Sequence, residues 1–234
     1  MIKGISKSKI NSFLDFFLPR FCPSCFIKLN PCENIICPAC KSNIKKAEAS
    51  FIKAEYERKF ESDGIIKEFL PLYIFEKDRP LQYLLHSLKY EKRFLIGKFL
   101  GNEMALNLRE KISRWQISCI VPVPLSKVRK ADRGFNQSYF IAAGISNVLN
   151  IPIAGKLVRR VKYTESQTKL SLSERQKNIR QAFKIDCSKI REGMKVLLVD
   201  DVITTGATIS ECARELDKAG IGSIYAVSVA IADI

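Results

Sequence analysis

Residues 196–209 read VLLVDDVITTGATI. Val196 to Val199 form an uninterrupted apolar run, the pattern of a strand buried on both faces of a parallel sheet. Asp200 and Asp201 follow at its carboxyl end, where open α/β sheets hold their ligands. Adjacent carboxylates at a strand tip face different ways. Together they can accept from the vicinal hydroxyls of a sugar and lie near a divalent cation that the ligand carries. Thr204, Thr205, Gly206, Ala207 and Thr208 then open a helix. Small residues let backbone N–H groups close on a phosphate, threonine hydroxyls add donors, and a helix N-terminus favours the anion. The string describes a cradle for a ribose 5-phosphate.

A response-regulator receiver also ends an apolar strand in paired aspartates, but on its first strand, with further functional residues on later ones. Only 33 residues follow Asp201, which is too few. A plain structural strand–turn–helix is the other alternative. The order of hydrophobic strand, acidic pair and Thr-Gly-x-Thr loop resembles the phosphoribosyl pyrophosphate (PRPP) signature of type I phosphoribosyltransferases. That resemblance implies ribose and Mg²⁺ contacts at Asp200 and Asp201, and 5′-phosphate contacts at Thr204, Thr205, Gly206, Ala207 and Thr208. Hypoxanthine-type transferases carry an aspartate where Thr204 stands, so salvage of hypoxanthine or guanine is not expected.

Outward from this string, strands and helices alternate. Strands are expected at Phe69–Phe75, Ile117–Val123, Lys156–Val161, Val196–Val202 and Ser223–Ile231. Helices are expected at Leu81–Tyr90, Leu95–Lys111, Asn136–Leu149 and Gly206–Ala219. The alternation predicts an α/β fold: a type I phosphoribosyltransferase-like parallel sheet flanked by helices, with a small N-terminal four-cysteine zinc module. The expected division is 1–60 for an N-terminal helix, the zinc module and a linker, and 61–234 for the phosphoribosyltransferase-like domain.

Two further segments gain meaning from the same resemblance. Pro122 and Pro124 lead into Ser126, Lys127, Arg129, Lys130 and Arg133, expected as a loop of unusual peptide geometry on the pyrophosphate side. Residues 156–180 hold eight Lys or Arg against two Glu. With Arg160, Thr164, Gln167, Arg175 and Asn178 they are expected to form a closing lid.

Cys22-Pro-Ser-Cys25 and Cys37-Pro-Ala-Cys40 are two C-x-x-C knuckles with eleven residues between them. Two such knuckles complete a tetrahedral Zn²⁺ site, closed and therefore structural. Cys32, Cys119, Cys187 and Cys212 are expected to pack internally, with Cys32 a substitute ligand in reserve. His86 is expected to be structural, and Phe21, Phe26 and Phe51 to serve the core before they serve any stacking role. A helix near the N-terminus, with Ile10, Phe13, Leu14 and Phe17 on one stripe, is expected to dock on the protein itself.

Thirty-nine Lys and Arg against 24 Asp and Glu give a formal charge of +15, a field that attracts phosphates, nucleic acid or anionic lipid. With 47% hydrophobic residues a core is available. No run is apolar and long enough to span a bilayer and no secretory leader is visible, so a cytoplasmic protein is expected, including the inner face of the membrane.

Taken in order, the knuckles, LKY (88–90), VPVPL (121–125), RGFNQ (133–137), Arg160 with Thr164 and Gln167, Arg175 with Asn178, and DDVITTGAT (200–208) resemble the ComF, or ComFC-like, competence proteins. The resemblance covers about residue 18 to the end. It implies handling of incoming single-stranded DNA during natural transformation, with PRPP and other DNA-uptake proteins as partners. An active phosphoribosyltransferase that displaces pyrophosphate with an unidentified nucleophile is the alternative. No residue is identified as catalytic.

Overall fold

The computed structural model describes residues 18–161 and 182–232. The N-terminal stripe and the lid residues Thr164, Gln167, Arg175 and Asn178 lie outside the described residues. In chain order the elements are α1 (Pro38–Ser42), α2 (Ala49–Tyr56), β1 (Ile66–Phe75), α3 (Pro80–Tyr90), α4 (Phe94–Asn107), α5 (Arg109–Trp115), β2 (Cys119–Pro122), α6 (Lys127–Arg133), α7 (Gln137–Leu149), β3 (Val158–Arg160), β4 (Phe183–Ile185), β5 (Lys195–Ile203), α8 (Ala207–Lys218) and β6 (Ser223–Ala232).

Strands β1, β6, β5 and β2 lie side by side in that order, and every neighbour is parallel. Central β5 is apolar because both its faces are covered. Leu197 and Val199 enter one core layer with Leu84, Leu100 and Ile141 from α3, α4 and α7. Val196 and Leu198 enter the other with Ile209, Cys212 and Leu216 of α8. All four are fully buried. At ~1.5–3 kcal/mol per side chain they contribute roughly 6–12 kcal/mol before the entropy of ordering the strand is counted.

Edge strand β1 tolerates Pro71, which sits opposite Ser228. Its outer side is covered by residues 45–47: the Ala47 N–H donates to Leu72 O (3.1 Å) and the Ile74 N–H to Lys45 O (3.0 Å). The cysteine-rich segment shares this body. Leu29, Ile35, Ile36 and Ile44 belong to the same core layer as α3 and α4.

Helices α4 and α7 pack backbone to backbone. A Cβ at Gly101 would be driven into the carbonyl oxygen of Ile141, and one at Gly144 into that of Lys98.

Three expectations change. The helix expected over Leu95–Lys111 breaks at Leu108, where the Asn107 side-chain amide donates to Glu103 O (2.7 Å) and competes for the helical acceptors. The expected loop over 126–133 is mostly the short helix α6, capped by Ser126, which accepts from the Arg129 N–H, and ended by Gly134 at φ 77°. Every peptide bond among the described residues is trans. The strand expected at Lys156–Val161 shortens to β3 and pairs antiparallel with β4 outside the main sheet.

Candidate functional site

The carboxyl ends of the strands open onto a cleft of about 400 Å³. Asp200 and Asp201 form its floor at the tip of β5. The next turn, Thr204 to Thr208, forms one wall as it enters α8. Gly206 makes the turn possible. It adopts φ 78°, and a Cβ there would lie 2.9 Å from the Phe60 ring beneath it. Phe60 is itself buried, edge-on to Phe69 with centroids 5.1 Å apart. The Ala207 N–H donates to Thr205 Oγ1 (3.4 Å), and the Ser210 N–H to Gly206 O (3.0 Å) starts the helix.

The two carboxylates are neutralised differently. Asp201 Oδ2 lies 2.8 Å from Lys89 Nζ on α3. Burial opposes charge on Asp201, but the Lys89 ammonium and the Val202 N–H outweigh it and hold its pKa below the usual value. Asp200 accepts from the Ser138 hydroxyl (3.0 Å) and from the Asp201 N–H (2.9 Å). Burial first, and the Asp201 charge second, push Asp200 up to about 7.

Across the cleft stand Val123, Pro124 and Leu125, then Arg129 and Arg133 from α6 and Arg160 from β3. The Arg160 guanidinium sits 5.4 Å from the Phe183 ring centroid. Burial first, and the like charge of Arg129 second, lower the pKa of Arg160. Four cations therefore crowd a cleft that holds two carboxylates. Buried Arg133 Nε has no hydrogen-bond partner among the described residues.

The structure thus brings Asp200, Asp201, Thr204, Thr205, Gly206, Ala207, Thr208, Arg129, Arg133 and Arg160 to one cleft. Ser126 caps α6 instead, and Lys127 and Lys130 are exposed on that helix without lining the cleft. Sequence reasoning missed Lys89, Ser138 and Phe75. A cation beside Asp201 was foreseeable from the cost of adjacent carboxylates, and the LKY block contained it.

The Sγ atoms of Cys22, Cys25, Cys37 and Cys40 all lie within 4.8 Å of one another. Tetrahedral Zn²⁺ with bonds of about 2.3 Å needs sulfurs about 3.8 Å apart, and Cys25 and Cys37 stand at 3.7 Å. The donor set fits a metal such as zinc. The Cys40 N–H donates to Cys37 Sγ (3.5 Å) at the start of α1, and Phe26 turns the first knuckle at φ 58°. Cys119 and Cys212 are buried as expected, whereas Cys32 and Cys187 are exposed and Cys32 lies outside the cluster. Phe21 and Phe26 are exposed too, and the buried apolar residues of the segment are Leu29, Ile35, Ile36 and Ile44 instead. Phe51 does pack against the core. His86 is exposed and packs against Tyr90 at a tilt of 45°, centroids 4.9 Å apart. Among the described residues, no helix is long and apolar enough to cross a membrane.

A parallel sheet with an acidic pair and a small-residue loop at one strand tip defines a type I phosphoribosyltransferase-like domain, and residues 136–232 match the family model "Phosphoribosyl transferase domain". The chain is 36% identical over 149 residues to Competence protein F of Haemophilus influenzae, covering 62% of this chain and 65% of that protein. It is 32% identical over 148 residues to DNA utilization protein YhgH of Salmonella typhimurium (62% and 64%). It is 37% identical over 101 residues to Competence protein ComFC of Bacillus subtilis (43% and 39%). The chain is thus similar to the ComF/ComFC competence proteins, and the match spans just under two thirds of the length of the first two relatives.

Proposed function

We propose that this protein binds PRPP with Mg²⁺ in the cleft and acts in the cytoplasmic handling of single-stranded DNA during natural transformation. The observation that carries the ligand is the convergence of three groups on one cleft: the acidic pair, the threonine loop and the arginines. Asp200 and Asp201 would accept from the ribose hydroxyls, and the Mg²⁺ that accompanies the ligand would offset charge between them and the pyrophosphate. Thr204 to Thr208 would hold the 5′-phosphate on hydroxyls and backbone donors. Arg129 and Arg133 would face the pyrophosphate, with Ser126, Lys127 and Lys130 supporting their helix and its field. Arg160 would close the ligand from above. Arg133 Nε, without a partner among the described residues, supports an anion there.

The DNA role is supported by the printed names of the relatives and by the +15 charge. Zn²⁺ in the cysteine cluster would be structural, since four thiolates leave it no open position.

Calorimetry with PRPP and MgCl₂ tests the ligand. A saturable heat is expected from the wild-type chain and none from Asp200→Ala/Asp201→Ala, with zinc content unchanged at one per chain. No heat from well-folded wild-type protein would overturn the reading.

A further inference from the structure

The strongest feature left unexplained is a face beside the cleft where rings and cations are interleaved. Residues 90–93 and 127–133 hold six cations (Lys92, Arg93, Lys127, Arg129, Lys130, Arg133) against Glu91 and Asp132. Between them, large rings stand open to solvent: Tyr90 is 55% exposed, Tyr139 46% and Phe94 38%.

Two groups of contacts build the face. The Arg133 guanidinium lies 5.6 Å from the Tyr90 ring centroid. Phe94 meets Phe135 edge-on at 4.7 Å and stacks on Phe140 at 4.8 Å, and Phe140 meets Tyr139 at 5.8 Å. One end of this face is at the cleft, because Arg133, which lines the cleft, also lies against Tyr90. The other runs along the start of α7.

We propose that this face is where a single-stranded nucleic acid lies, with unstacked bases on Tyr90 and Tyr139 and phosphates on the cations of the 91–93 turn and α6. The proposal rests on the DNA-handling reading and adds the surface and the mode of contact. Charge complementarity selects a polyanion. Separate exposed rings select one whose bases are free to stack, which a duplex does not offer. Phe140 packs against Tyr139, and His86 and Arg133 pack against Tyr90, so little is lost in ordering these rings when a base arrives.

The test is fluorescence anisotropy of a labelled oligodeoxythymidylate on the full chain across a salt series. Two pairs outside the cleft, exposed but for half-buried Arg93, are changed: Tyr90→Ala/Tyr139→Ala, and Lys92→Gln/Arg93→Gln. Stacking on two rings predicts a loss of about tenfold or more for the tyrosine pair with the salt slope kept. The cation pair is expected to lower that slope by about one to two units. The PRPP heat should be unchanged in both, which shows that the cleft is intact. Strand affinity unaltered in both pairs overturns the proposal. So does equal loss of strand and PRPP, which would make the rings part of the cleft's packing, or tyrosine-dependent binding to anionic vesicles in preference to the oligonucleotide. A wild-type chain that binds no strand even at low salt would instead remove the DNA reading underneath.

Discussion

Lys89 Nζ lies 2.8 Å from Asp201 Oδ2, with the lysine side chain 20% exposed and the aspartate 14%. Helix α3 thus supplies the only counter-charge seen so close to the acidic pair among the described residues. Removing one partner of a well-covered pair leaves the other charge short of solvent and short of a counter-ion. Lys89→Met is therefore expected to lower unfolding stability by about 1–3 kcal/mol and to raise the Asp201 pKa. It should weaken PRPP as well. Lys89→Arg should recover most of the stability, measured by urea denaturation.

Asp200 leads to a pH prediction with a definite sign. Its carboxyl is pushed up to about 7 by burial and by Asp201, against about 3.9 in an unfolded chain. Between these values the folded protein holds a proton that the unfolded chain has released. Stability of the ligand-free protein should therefore be highest, as far as Asp200 is concerned, below about pH 4, and decline as pH rises towards 7. Asp200→Asn keeps an oxygen for the Ser138 hydroxyl and the Asp201 N–H. It should flatten that decline and raise Tm at pH 8 by several degrees, while PRPP binding is lost. A wild-type decline that survives the substitution unchanged would mean another group is responsible.

How much of this was legible depended on the range of the interaction. The string 196–209 discloses strand, turn and helix because each signal is local: an apolar run, an acidic pair and a loop of small residues with a glycine. The parallel sheet follows from repeated signals of that kind. The Lys89–Asp201 pair joins distant parts of the chain, and no periodicity marks it. Helix α6 was hidden because it buries nothing, so no apolar stripe exists to see. Its caps Ser126 and Gly134 were readable, and the prolines before them drew the reading towards a loop. Phe21 and Phe26 look like core residues by composition, but the interior of that segment is taken by Leu29, Ile35, Ile36 and Ile44 and the rings stay outside.

The knuckles share a core layer with α3 and α4 through Leu29, Ile35, Ile36 and Ile44. Loss of the metal should therefore be felt beyond the cysteines. Cys25→Ser, or exhaustive chelation, is expected to remove the zinc and lower the Tm of the main unfolding transition. A calorimetric trace in which a small separate peak disappears and the main peak stays would show the module to be energetically independent. One shifted transition is the outcome the shared core requires.

Arg133 stands between the cleft proposed for PRPP and the neighbouring face of rings and cations, and Arg129 lines that cleft from the same helix. Two polyanions that draw on the same guanidiniums cannot both have them in full, and the resulting antagonism must be reciprocal. Saturating Mg²⁺–PRPP is expected to weaken oligodeoxythymidylate binding by about fivefold to tenfold. A saturating oligonucleotide should weaken PRPP by the same factor. Arg129→Gln should shrink that factor towards one while weakening each ligand alone. Equal strand affinity with and without PRPP, in protein shown by calorimetry to be saturated, would separate the two surfaces and confine the arginines to the cleft.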